Sequence, residues 1–160
     1  MKKFNVTELI ISIVFAELVG ALSALFAGGF GSLYAEIQRP PFSPPSWVFP
    51  VVWTVLYAIM GISSYMIYRN DDYKSQSALK VYFMQLAVNF SWSIIFFRFE
   101  KFTAAAITAV ILAVLVGIMV LKFYHIRKKA GLLNLPYLAW SIFASYLAVG
   151  TAILNTPRFN

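Results

Sequence analysis

Five stretches of roughly twenty residues are apolar almost without interruption, at about 7–27, 46–68, 79–98, 102–124 and 132–155. Each is long enough for a helix to cross about 30 Å of hydrocarbon. The runs are continuous rather than alternating, which argues against an outer-membrane barrel. At 61% hydrophobic, 18% aromatic and 12% charged residues, the chain lies far outside soluble globular composition. The expected fold is an all-α integral membrane protein: one domain over 1–160, built as a five-transmembrane-helix bundle with short loops except the first. Connectors this short make neighbouring helices antiparallel.

A net charge of +7 could point to nucleic acid, but the basic residues gather at helix ends rather than on one face. Lys2, Lys3, Arg69, Lys74, Lys80, Lys122, Arg127, Lys128 and Lys129 fall on the N-terminal side, against Arg39, Arg98, Lys101 and Arg158 on the other. That asymmetry puts the N-terminus and the second and fourth loops in the cytoplasm, with the first loop and the C-terminus outside. The expected location is a cell membrane, and nucleic acid is not an expected partner. Lys2-Lys3 before an apolar run resembles a signal peptide; the run is long and no A-x-A site follows, so it reads as a retained first helix. There is no cysteine, which excludes disulfides, thiolate metal sites and cysteine nucleophiles.

The first loop ends in Pro40-Pro41-Phe42-Ser43-Pro44-Pro45. Four prolines fix φ and remove donors, so no helix precedes Ser43, while Pro44 or Pro45 suits the first turn of the next. On that second span Phe49, Trp53 and Tyr57 are four residues apart and share a face beneath the loop. Pro50 makes a bend plausible in the first two turns. Trp47 fits either a site or an interfacial belt. A loop of nearly twenty residues, with Tyr34, Glu36 and Arg39, reads as a lid over a site or as an exposed connector.

Ala16, Gly20, Ala24 and Gly28 in the first span, and Ala105, Ala109, Ala113 and Gly117 in the fourth, are small-residue ladders that let another helix approach, in this chain or a second copy. Glu17 lies within the first span, a functional candidate by depth or a group facing a polar seam. Residues 69–74 read as a solvated turn. In the third span Gln85, Asn89 and Ser93 are four apart beside Trp92, and need partners on another helix or on a ligand. In the fifth, Tyr137, Trp140, Ala144 and Leu147 share a face. The lone His125, among basic residues, reads as interfacial.

Three spans carrying Trp53, Asn89 and Trp140 could enclose an apolar pocket with a few polar anchors, a small-molecule site on which planar aromatics would stack. A porphyrin fits that chemistry. Axial haem ligation does not, since no Cys or His is available there, and no metal site or tightly bound cofactor is expected.

Three segments resemble signatures of the TspO family, the translocator proteins once called peripheral benzodiazepine receptors: Pro44-Pro45-Ser46-Trp47-Val48-Phe49-Pro50 through Met60-Gly61, Asn89 through Phe97, and Leu135-Pro136-Tyr137-Leu138-Ala139-Trp140 through Ala144. The resemblance implies a five-helix membrane protein of bacterial type, commonly a homodimer, that receives porphyrins, sterols and related flat ligands under the first loop. The implied ligand-binding set is Tyr34, Pro44, Trp47, Phe49, Trp53, Tyr57, Asn89, Trp92, Tyr137, Trp140, Phe143 and Ala144. Some bacterial members are similar to light-dependent enzymes that degrade protoporphyrin IX, and in such an enzyme Trp53 and Trp140 would be catalytic. A tetrapyrrole or sterol transporter is a third reading; an odd helix count and a single deep carboxylate stand against coupled transport. The chain departs from the family at Phe42, where Trp is frequent, and at Leu147-Ala148-Val149, where an Asn is frequent.

Overall fold

The structure is a computed structural model that describes residues 2–70 and 72–159, with side chains through residue 156. Arg158, counted above among the outer charges, and Asp71, in the second loop, have side chains outside that description. Seven α-helices follow in order: α1 Val6–Ala27, α2 Gly31–Glu36, α3 Val48–Tyr68, α4 Tyr73–Ser93, α5 Phe102–Ile126, α6 Lys128–Leu133 and α7 Leu135–Phe159. No strand occurs among the described residues. Five segments are long and apolar enough to cross a membrane: α1, α3, α4 with the π-turn after it, α5, and α6 together with α7.

Helix ends follow local chemistry. Asn5 Oδ1 accepts from the Thr7 and Glu8 amides to cap α1, while Gly28, at φ 82°, closes its C-terminus in the left-handed conformation that glycine adopts freely. Helix α3 starts at Val48, two residues later than expected, with Pro44 and Pro45 before it rather than in its first turn. Pro50 lies within that first turn, where a missing N–H breaks no intrahelical bond, so the expected bend has no cause there.

Helix α4 begins six residues early. Asp72 Oδ1 accepts from the Ser75 amide at 2.6 Å, which makes Tyr73 and Lys74 helical instead of part of a solvated turn. At its far end Ile94–Arg98 forms a π-turn. Before α7 the chain makes the short α6, because Asn134 is fully buried and donates to Ser63 Oγ and to the Ala130 carbonyl, interrupting a continuous run.

The bundle is apolar on its outside as well as in its core. Leu18, Leu22 and Leu25 on α1, Ile107, Ile111 and Val114 on α5, and Ile153 on α7 point outward, as a lipid-facing surface requires. Helix α5 packs between α4 and α7, and α1 packs on α3. The ladder of α1 is used within the chain: a Cβ on Gly20 would lie 2.3 Å from the Tyr57 ring, and one on Gly61 would lie 2.5 Å from Ile13 Cα.

The buried apolar residues form two clusters. One is centred on Tyr57, Met60, Tyr82, Val116, Phe123 and Tyr137; the other, under the first loop, on Tyr34, Phe49, Trp92, Phe96, Phe102 and Leu147. Trp53 and Trp140 pack against both.

Candidate functional site

The first loop is a packed cover rather than an exposed connector. Its short helix α2 buries Leu33 and Tyr34, and Ile37 and Pro40 are buried beyond it. Tyr34 donates to the Pro44 carbonyl at 2.5 Å, and Tyr146, from α7, donates to the Pro41 carbonyl at 2.8 Å. Ser43 donates to the Pro40 carbonyl, closing a turn around Phe42, which sits at φ 65° and is 90% exposed. At the loop's N-terminal half Asn155 holds both backbone groups of Gln38.

Beneath this cover is a cavity of about 30 Å³ with almost wholly apolar walls, to which Tyr34, Phe49, Trp92, Phe96, Ala144 and Leu147 contribute. Phe49 meets Tyr34 edge-on at 5.2 Å and Trp140 at 6.0 Å, and Trp140 in turn meets Phe143 at 5.4 Å. These T-shaped and tilted contacts are the favoured aromatic geometries. The indole N–H groups of Trp92 and Trp140 are buried and have no hydrogen-bond partner among the described residues. Orphaned buried donors are uncommon in proteins.

The stripe expected on α3 divides. Phe49 joins the loop-side rings, while Trp53 turns towards Tyr57 at 5.7 Å and Tyr137 at 6.1 Å. Trp53 and Tyr57 line a second space, a cleft of about 140 Å³ between α1 and α3 that also takes in Glu17 and Ser93.

Asn89 and Tyr137 sit deeper and bond to each other. Asn89 Nδ2 donates to Tyr137 Oη at 3.1 Å, and Tyr137 donates to Gln85 Oε1 at 2.5 Å. Gln85 reaches Met60 Sδ at 3.5 Å. All three side chains are sealed from solvent, so this polar network joins α3, α4 and α7 across the core, the interhelical alternative for Asn89. Pro44 serves through its carbonyl as the acceptor for Tyr34, and Trp47 is 66% exposed, on the rim.

Gln85, which the sequence sets four residues before Asn89 as a polar group in need of a partner, completes the Asn89–Tyr137 network. Asn155 was missed because its partners are backbone groups 117 residues away. Among the described residues no cluster of His, Asp and Glu could hold a metal ion, and His125 lies exposed, its Nδ1 against the Leu121 carbonyl of its own helix.

Five apolar helices, with the first loop packed over the rings between them, define an integral membrane helical bundle. The TspO/MBR family model matches residues 12–154. The chain is 35% identical to the tryptophan-rich protein TspO of Archaeoglobus fulgidus over 94% of this chain and 99% of that protein. It is 34% identical to the translocator protein of Bos taurus, covering 82% of this chain and 80% of that one, and 31% identical to the tryptophan-rich sensory protein of Cereibacter sphaeroides, covering 78% of each. The chain belongs to the TspO/MBR family.

Proposed function

We propose that this protein is a membrane receptor or sensor for tetrapyrroles, protoporphyrin IX or a haem held without axial protein ligands, taken up beneath the first loop. The observation that carries the reading is the pair of indole N–H groups, on Trp92 and Trp140, without a hydrogen-bond partner among the described residues: Trp92 lines the apolar space, and Trp140 packs edge-on against Phe49, which lines it too. A carboxylate or pyrrole nitrogen of a flat ligand would accept from them, and its face would stack on the indoles. Trp53 and Trp140 pack against both buried clusters, so a planar guest that parted the clusters would lie against both indoles.

Small-molecule pockets take roughly 300–1,000 Å³, so a cavity of about 30 Å³ would have to open to admit such a ligand. Binding a tetrapyrrole would lift the loop and release Tyr34 from Pro44 and Tyr146 from Pro41. In this reading the loop faces away from the cytoplasm, the N-terminus lies inside, and the protein works as a homodimer in the cell membrane.

Titration with protoporphyrin IX in detergent, followed by Trp fluorescence quenching in the dark, tests the site. Trp53→Ala and Trp140→Ala should each weaken binding by about tenfold or more; wild-type affinity in both variants rejects it. The same titration under illumination separates a receptor, which leaves the porphyrin spectrum intact, from a light-dependent degrading enzyme, which bleaches it.

A further inference from the structure

The cleft between α1 and α3 holds a carboxylate that nothing in the loop-side site uses. Glu17 is the twelfth residue of the 22-residue α1, hence near the middle of the span. Among the described residues no Lys, Arg or His pairs with it, and no donor bonds its carboxyl group. A carboxylate at that depth is costly unless something answers it.

The surrounding walls are specific. Trp53 and Tyr57 line the cleft, and so does Ser93, a buried residue at the end of α4. The hydroxyls of Tyr57 and Ser93 make no hydrogen bond with the described residues, whereas Thr54, at the mouth, already donates to the Pro50 carbonyl. Ala21 and Thr54 are exposed, so the cleft opens sideways, onto the lipid-facing side of α1 and α3.

We infer that this cleft is a binding site for lipophilic amines: an aromatic or alicyclic body against Trp53, and a protonated amino group at Glu17. The ammonium supplies the missing counter-charge and donates to the carboxylate and to the free hydroxyls. Charge-assisted bonds of this kind are about twice as strong as neutral ones, and the facing rings add cation–π attraction. The same carboxylate repels the acidic side chains of a tetrapyrrole. The site therefore selects a ligand class opposite in charge to that proposed for the loop-side cavity, and it does not depend on that proposal.

The test uses the full chain in nanodiscs of zwitterionic phosphatidylcholine, titrated calorimetrically with 1-naphthylmethylamine and with 1-naphthalenemethanol, empty nanodiscs being subtracted. Wild-type protein should bind the amine about tenfold more tightly than the alcohol. Glu17→Gln should erase that preference while leaving the alcohol's affinity unchanged. Ala21→Phe, a change on an exposed position that fills the mouth, should weaken both probes and provides a second arm should Glu17→Gln fail to fold. Equal affinities for amine and alcohol in the wild type overturn the inference. So does an amine affinity that survives either substitution.

Discussion

Asn155 and Gln38 are joined at two points: the Gln38 amide donates to Asn155 Oδ1 at 2.9 Å, and Asn155 Nδ2 donates to the Gln38 carbonyl at 2.7 Å. One fully buried side chain on α7 thus stands in for a strand partner to the middle of the first loop, and the Thr151 carbonyl takes a further bond from the same Nδ2.

Asn155→Ala removes this tie and leaves two backbone groups of Gln38 without it, at a cost of about 1–3 kcal/mol. We expect faster hydrogen exchange across residues 37–43 and a faster porphyrin association rate. Unchanged exchange in that segment would show that Tyr146 and Pro40 hold the loop unaided.

Gly61 and Gly117 occupy similar helix-interface positions with opposite tolerance. A Cβ at Gly61 would meet the α1 backbone at 2.5 Å, whereas one at Gly117 would lie 3.8 Å from Leu138 Cδ1, an ordinary contact. Gly61→Ala should destabilise by about 1–3 kcal/mol, because two backbones must separate. Gly117→Ala should be neutral or stabilising, by at most about 1 kcal/mol from helix propensity. Thermal unfolding of the two variants side by side gives the comparison.

Tyr137→Phe keeps the ring against Trp53 but deletes the hydroxyl that links Asn89 and Gln85. Both amides then lose a buried partner, and stability should fall by about 1–3 kcal/mol. Porphyrin affinity should change less than in Trp140→Ala, since the network lies below the rings; an equal loss of binding would mean that the hydroxyl contacts ligand.

Asp72 caps α4, and its hydrogen bonds with Ser75 hold the carboxyl below the usual carboxylate range. A depressed folded pKa means that the cap's contribution is present at neutral pH and is lost as pH falls through that lowered value. The protection factors of the Ser75 and Gln76 amides, which divide out the pH dependence of intrinsic exchange, should fall under acid conditions in the wild type. In Asp72→Ala they should already be low at pH 7, with no further acid step.

The extent to which sequence anticipated this molecule differs by element. The middles of all five spans were legible because continuous apolar runs have one low-energy solution in lipid. Their ends were not, since Asp72, Asn134 and the prolines act through one or two hydrogen bonds that hydropathy does not register. The aromatic residues of α3 were correctly placed on one face, yet a helix face is wide. Phe49 lines the space under the first loop, while Trp53 and Tyr57 line the cleft beside α1, which comes close to Tyr57 at Gly20.

Class, helix number and family were carried by the chain itself: hydropathy reports transfer into hydrocarbon residue by residue, and three local motifs suffice to mark kinship. Which polar groups end up satisfied was decided only by tertiary packing. Asn89 found Tyr137, Asn155 found Gln38, and Glu17 and two indole N–H groups found no partner among the described residues. Such pairings depend on distances between helices tens of residues apart, to which no single stretch of sequence has access.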